Sequence, residues 1–220
     1  MRRHAPSGPF AAVLSERRVY GVAMEQRREI LPERIEGNGF LLRRWTPSDA
    51  ETLGRAIAES ARHLRPWMAW IAHEPLTLEQ RREWLIDRQR EWSEGGDVVH
   101  GVFIGDEVAG GCGLHRRRGP RKLEIGYWIH PAFTQRGLAT AVAQTLTDAA
   151  FGVTGIALVE IHYDKANVAS SGIPRRLGFR FVGETPDGAA APAEIGIDCT
   201  WRVDRDRWSR DRVDTGRTAL

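Results

Sequence analysis

The stretch EIGYWIHPAFTQRGLAT, residues 124–140, decides how this chain is read, because it runs from strand through turn to helix. Glu124 to Ile129 alternates polar and bulky side chains and gathers Tyr127, Trp128 and Ile129, a pattern that suits a pleated, half-buried surface. Pro131 ends that strand by removing a ladder donor. Gln135, Arg136, Gly137, Leu138, Ala139 and Thr140 then open a helical pattern. Gly137 and Ala139 leave the backbone uncovered, so consecutive N–H groups can point at one anion. The first N–H groups of a helix have no internal partner, and the helix dipole adds positive potential there. Arg136 can add a charge-assisted contact. A turn of this build holds phosphate, although a short Gly/Ala turn taken alone also fits a plain helix start.

The turn does not stand alone. A second block, NVASSGIPRRLGF, occupies residues 167–179. In this order the two blocks resemble the GNAT superfamily of acyl-CoA-dependent N-acyltransferases, and within it the branch of the ribosomal-protein N-terminal (alanine and serine) acetyltransferases. FLLRRWTPSDA at 40–50 resembles that family's first strand and the turn into its first helix. HLRPWM at 63–68 resembles the segment ahead of its second helix, and GGCGLH at 110–115 its central strand. The likeness spans residues 40 to 203. It implies that the first block binds the pyrophosphate and pantetheine of acetyl-CoA, the acyl donor. The second block then sets an Asn and a Ser beside the thioester, ahead of a short helix ending in Leu-Gly-Phe. The acetyl group passes by direct attack of an amine, with no covalent enzyme intermediate.

Composition agrees with an ordinary globular enzyme. The chain has 220 residues, enough for one well-buried core, with 41% hydrophobic and 28% charged residues. A net charge of +3 and a pI near 9.2 are mild and do not identify a nucleic-acid binder. No run of eighteen apolar residues is present, so no membrane span is expected. The basic start with its brief apolar patch meets Glu16-Arg17-Arg18 too soon for a signal peptide. Cys112 and Cys199 read as two buried, reduced thiols of a cytoplasmic protein rather than a disulfide.

Three regions are expected: an accessory or flexible extension at 1–36, an acetyltransferase domain at 37–205 and a charged tail at 206–220. A helical piece is expected around Ser15 to Arg28, and translation starting at Met24 is one account of the extension. Phe40 to Arg44 reads as a strand, and Ser48 or Asp49 caps a helix through Ser60. Thr77 caps a second helix, with Trp84, Leu85 and Trp92 on its apolar side and Gly95-Gly96 at its end. Val98 to Ile104 and Val108 to Leu114 make a hairpin. A strand over 123–129, a helix over 137–151 and a strand over 156–163 follow. A short helix over 169–177 is bent or shortened by Pro174, and strands at 179–184 and 195–203 close the fold. The sum is α+β: a GNAT-like mixed, mostly antiparallel twisted sheet with helices on both faces.

Acetyl transfer to an amine needs a neutral amine, a held thioester and a donor for developing negative charge. A backbone α-amine, with a pKa of about 7.7 to 8.0, needs only a modest base. Glu124 is the leading base candidate, acting through one water; a solvated strand-edge Glu is the plain alternative. The backbones of Trp128 and Ile129 can pair with the pantetheine amides as an added strand. Thr134 stands where the family often has Arg or Gln, which leaves the backbone cradle intact. Asn167 can hold the pantetheine arm, or else form a turn. Ser170 can donate to the leaving thiolate, or else cap a helix. Many family members place a Tyr where this chain has Pro174, so that helix supplies no phenolic acid. Ser170, a water or no acid at all remain.

His100, His115, His130 and His162 are scattered and show no metal-site spacing; His115 and His130 lie near the presumed cleft and are read as structural rather than functional. Arg116 to Arg118 with Arg121 and Lys122 form the densest basic cluster, read as a solvated loop or as a contact for an acidic partner. Trp67, Met68 and Trp70 either pack under the first helices or wall the acceptor pocket. The expected acceptor is a protein N-terminal amine, with a ribosomal protein as the possible partner. A small amine or antibiotic is the first alternative, and a non-catalytic acyl-CoA-binding or RNA-associated module the second. Oligomeric state stays open, a homodimer being one outcome.

Overall fold

The computed structural model describes residues 31–117 and 119–210. Eight strands form one sheet in the order β1-β2-β3-β4-β5-β6-β8-β7. They are β1 (Arg34–Glu36), β2 (Leu41–Arg44), β3 (Val98–Ile104), β4 (Glu107–His115), β5 (Lys122–Ile129), β6 (Leu158–Asp164), β7 (Arg180–Pro186) and β8 (Ile197–Asp204). All neighbours are antiparallel except β5 and β6. Among the described residues, four helices between the strands pack on it: α1 (Ala50–Leu64), α2 (Leu78–Ser93), α3 (Leu138–Gly152) and α4 (Val168–Arg176). This is the mixed, mostly antiparallel architecture expected from the pattern.

Local chemistry explains the joints. Thr77 Oγ1 accepts the Gln80 N–H at 3.2 Å while the Gln80 side chain accepts the Thr77 N–H at 2.9 Å, a reciprocal cap that starts α2. Gly105, at φ +58, makes the tight turn between β3 and β4 that a side chain would strain. α1 begins after a 3-10 turn at Pro47–Asp49 and runs on to Leu64, past the expected stop at Ser60, because Ser60 and Leu64 are both buried. Trp84 departs from the expected apolar side of α2: it is 36% exposed, whereas Leu85 and Trp92 are buried.

Each face of the sheet carries its own core. Leu123, Ile125 and Ile129 of β5 and Val159 and Ile161 of β6 pack with Leu138, Val142, Leu146 and Ala150 of α3. On the other face Trp45, Phe103 and Val108 pack with Leu53, Ile57 and Leu64 of α1 and Leu85 of α2. Burying each such aliphatic side chain contributes about 1.5–3 kcal/mol.

The packed region reaches past both expected boundaries. Leu31 is buried, Pro32 C=O meets His100 Nε2 at 2.9 Å, and β1 pairs with β2, so residues from 31 on belong to the sheet. Burial pushes His100 down to about 4, which keeps it neutral. At the other end residues 205–210 are helical. Trp208 there is buried against Phe179 and donates to Asp148 Oδ1 at 2.8 Å. Arg205 donates to the carbonyls of Phe151, Val153 and Ile156, placing a cation at the C-terminal end of α3. The expected helix around Ser15 to Arg28 and the start at Met24 lie outside the described residues. Both cysteines are free and buried.

β5 and β6 pair only from Lys122–Leu158 to Ile125–Ile161. Beyond that row Gly126 to Ile129 keep β4 as their ladder partner, and His162 to Asp164 keep β8. The two strands therefore part company in mid-sheet and leave main-chain donors and acceptors along both inner edges.

Candidate active site

The turn between β5 and α3 takes the strand–turn–helix form that the sequence implies. Gly137 is the N-cap of α3 in the left-handed conformation (φ +79), and Gln135 is the one described non-glycine residue with a positive φ, at 60°. Ala141 N–H to Gly137 C=O, 3.0 Å, is the first bond of the helix ladder, so the N–H groups of Leu138, Ala139 and Thr140 precede it. A Cβ built on Gly137 would meet no atom within 4 Å, which leaves room above the turn. Gln135, Arg136 and Gly137 are exposed there, and the Arg136 guanidinium sits over the Phe133 ring at 5.8 Å. Space, converging donors and a helix N-terminus fit a pyrophosphate.

Arg176 adds a cation that sequence reasoning missed. From α4 it reaches Thr140 Oγ1 with Nη2 at 3.1 Å and Nε at 3.3 Å. The same side chain lies over Gly172, where an added Cβ would come within 2.6 Å of Arg176 Nη1. The glycine of the second block thus permits a guanidinium to cross to the first.

Glu124 lies in a row of side chains that crosses four strands on the α1 face. Its ladder partners are His115 on β4 and Glu160 on β6, and Glu160 in turn faces Arg202 on β8. The Glu124 side chain is 12% exposed and meets Arg117 Nη1 at 3.5 Å, so it is not the solvated strand-edge group of the plain alternative. It sits one row before the strands part. His115 Nδ1 meets Asp97 Oδ2 at 2.6 Å, and its Nε2 lies close enough to Gly126 that an added Cβ would approach to 3.0 Å. Burial raises the Asp97 carboxyl, but the Arg116 N–H, His115 and Arg117 outweigh it and hold the group below its usual value. Of the basic cluster, Arg117 reaches this row with its guanidinium, while Arg116 contributes its main-chain N–H to Asp97; Arg118 is outside the described residues.

A second polar knot sits deeper on the same face. His162 Nδ1 meets Asp198 Oδ2 at 2.8 Å and its Nε2 meets Glu160 Oε2 at 3.4 Å, while Thr200 Oγ1 donates to Asp198 at 3.0 Å. Burial raises Glu160, yet the Arg202 contacts, at 2.6 Å from Nε and 2.5 Å from Nη2, and those of His162 and Lys122 leave it lowered overall. The sequence held no sign of this knot, because β6–β8 register alone joins residues so far apart in the chain. Trp70 and Trp128 lean together near this face with ring centroids 6.4 Å apart, and Trp70 is 36% exposed, which suits a pocket wall. Met68 packs into the core beneath.

The opposite face carries the second block. Asn167 is the N-cap of α4: its Oδ1 accepts the Ser170 N–H at 3.2 Å, the turn-forming role, and the cap engages only that oxygen. Ser170 is therefore not the cap but sits in the first turn. Pro174 stays within α4 and is buried, its missing N–H leaving out the bond that would reach Ser170 C=O. Trp128 and Ile129 lie on the part of β5 past the split, with backbone edge toward the gap. Tyr127, between them and Gly126, is one of the bulky residues that mark the strand in the sequence. Its hydroxyl is buried and meets no hydrogen-bond partner. Burial pushes this phenol up to about 12, with the nearby Ser170 hydroxyl opposing the rise. His130 meets Glu59 at 3.1 Å and caps the turn at Pro131–Phe133. Among the described residues, no group of three His, Cys, Asp or Glu is arranged to hold a metal ion.

The profile of the acetyltransferase (GNAT) domain matches residues 40–180. YdaF of Bacillus subtilis (strain 168), which carries the provisional name ribosomal N-acetyltransferase, is 31% identical over 144 residues, 64% of this chain and 78% of that protein. A crystal structure of a probable acetyltransferase shares 26% identity and a TM-score of 0.73 over 80% of this chain and 98% of the other. The ribosomal L7/L12 α-N-protein acetyltransferase RimL, solved with coenzyme A, shares the fold at 19% identity and a TM-score of 0.71, covering 81% and 99%. The chain belongs to the GNAT acetyltransferase family and is an acetyl-CoA-dependent N-acetyltransferase.

Proposed function

We propose that the enzyme acetylates a protein N-terminal amine of the ribosomal-protein type, and that Glu124 is its base. The observation that carries this reading is the position of Glu124: one row before β5 and β6 separate, on the face opposite the Tyr127–Ser170 side, and mostly withdrawn from solvent. An amine arriving from the α1 face meets Glu124, with His115 beside it and Glu160 behind. These carboxylates favour an ammonium group electrostatically, and a base close to its proton then yields the neutral nucleophile. Acetyl-CoA supplies the activated acyl group. The Gln135 to Thr140 turn and Arg176 hold its pyrophosphate, and Trp128 and Ile129 offer backbone partners to the pantetheine amides. The nucleophile forms its bond through the gap while Ser170, across the sheet, faces the departing sulfur.

The ribosomal acceptor is supported by the name of the Bacillus relative. Free, buried thiols support a cytoplasmic setting. The deciding experiment measures thiol release from acetyl-CoA across N-terminal ribosomal-protein peptides and small amines. Turnover on peptides, sensitive to the first residue, supports the reading. Turnover confined to small amines replaces it with a pocket walled by Trp70 and Trp128.

A further inference from the structure

We propose that Tyr127 is a positioning residue for the leaving sulfur: its hydroxyl donates to Ser170 Oγ, so that the Ser170 O–H is turned toward the sulfur as the C–S bond breaks. The proposal rests on the reading of Ser170 as the donor to that sulfur.

Tyr127 Oη is fully buried and has no partner within hydrogen-bond geometry. Leaving such a group unmade costs about 1–3 kcal/mol, and phenylalanine would fill the same space without that cost. The ring itself packs against the α3-side core, so packing alone does not account for the oxygen. The hydroxyl lies where the sheet opens, two residues past the last β5–β6 pair at Ile125–Ile161.

Its surroundings narrow the role. Ser170, Arg176 and Tyr163 are the polar groups that bear on Tyr127. Tyr163 Oη already accepts Trp201 Nε1 at 3.0 Å, and Arg176 is engaged with Thr140. Ser170 has its backbone N–H fixed by Asn167, which sets the first turn of α4, while the rotation of its hydroxyl is left to be decided by what faces it. Ser170 is the hydroxyl set against Tyr127 Oη, and rotation of its side chain about χ1 is the adjustment the proposal requires to join the two oxygens. The phenol, shifted far upward by burial, keeps its proton throughout the working range and acts as a donor at every relevant pH.

The chemistry balances without an added reagent. The amine nitrogen forms a bond to the carbonyl carbon and its proton passes to Glu124 or to water. The C–S bond breaks with its electron pair on sulfur, and that charge is met by the Ser170 O–H, itself held by Tyr127. A serine hydroxyl is a much weaker acid than a thiol, so Ser170 keeps its proton, and the sulfur is protonated by solvent afterwards. Charge-assisted hydrogen bonds of this kind are about twice as strong as neutral ones.

The test titrates the thiol of coenzyme A bound to the full chain, following thiolate absorbance, with affinity measured separately by calorimetry at pH 6.5. Burial raises both Cys112 and Cys199, which keeps the protein's own thiols out of the window. Y127F and S170A should each raise the bound thiol's pKa by about one unit, a tenfold loss of thiolate at fixed pH. The double variant should show no further rise, since the two act through one chain. Affinity at pH 6.5 should change less than about twofold. If S170A shifts the thiol and Y127F does not, the Tyr127 proposal is overturned while the reading of Ser170 survives. If S170A leaves the thiol unmoved, Ser170 is not the donor and both fall. Should Y127F fold poorly, 3,5-difluorotyrosine at 127, a stronger donor of similar size, should lower the thiol pKa below wild type; an unchanged value overturns the proposal.

Discussion

Arg176 Nη2 donates to Thr140 Oγ1 at 3.1 Å, and this one contact clamps the second sequence block onto the first turn of α3. The guanidinium is thereby held beside the N–H groups of a helix start, where an anion gains from both. Replacing Arg176 with Gln should weaken coenzyme A binding about tenfold, in line with the loss of one hydrogen bond to a charged group. Acetyl-pantetheine, which lacks the pyrophosphate, should bind both proteins alike. Calorimetry with the two ligands separates a phosphate role from a general loosening of α4, which would weaken both.

Gly137 gives a sharper test of the turn itself. Its φ of +79 costs an L-residue about 1–2 kcal/mol, yet an added Cβ meets nothing within 4 Å. Gly137→Ala should therefore lower stability by about that amount through the backbone alone. Gly137→Glu should melt near the Ala variant but lose coenzyme A binding by at least about 100-fold, because a carboxylate then occupies the cradle and repels phosphate. Binding retained by the Glu variant would mean that the pyrophosphate sits elsewhere.

The turn, the strand that leads into it and the order of elements were legible because each has a local signature: alternation, a Pro stop, a Gly start; the parting of β5 from β6 has none, since it depends on pairing. Residues whose role depends on register were not. His162 and Asp198 meet only because β6 and β8 pair with His162 opposite Thr200, and a slip of β8 by one residue would send Asp198 to the other face. Tyr127 looked like any aromatic of an alternating strand; its unmet hydroxyl is visible only once α4 is in place. Trp84 fits the helical period yet stays exposed, since α2 buries Leu85 and Trp92 and little else of that face. Asn167 takes the turn-forming alternative and Ser170 not the capping one for a related reason: which of two polar residues three apart caps a helix depends on where its first turn begins.

Stability at the domain's entry is open to a pH test. Arg43 grips Asp49 with two bonds of 2.7 Å, and the Thr46 N–H adds a third at 2.8 Å. Burial raises the Asp49 carboxyl, but these contacts outweigh it and hold the group below its usual 3.8. A depressed carboxylate stabilises the fold above its unfolded value, and that share is lost as pH falls through the folded value. Asp49→Asn should thus cost about 1–3 kcal/mol at pH 7. The gap between the two proteins in urea unfolding should hold steady down to about pH 4 and close below it. A gap that persists at pH 2.5 would assign the loss to packing instead of charge.

Glu124→Gln bears most directly on the chemistry. Removing a general base should lower kcat at pH 7 by about 100-fold while leaving coenzyme A affinity unchanged. The deficit should shrink as pH rises past about 8, because an α-amine then arrives already neutral. Recovery of this kind distinguishes a lost base from a damaged pocket, which would stay slow at every pH. If the variant's pH profile runs parallel to that of the wild type, the proton goes elsewhere. His115 is then the group to examine, since its ring lies over Gly126 beside Glu124 with Asp97 behind it. His115→Gln would in that case flatten the acidic limb of the profile, and the row from β4 to β5 would exchange the roles of its two members.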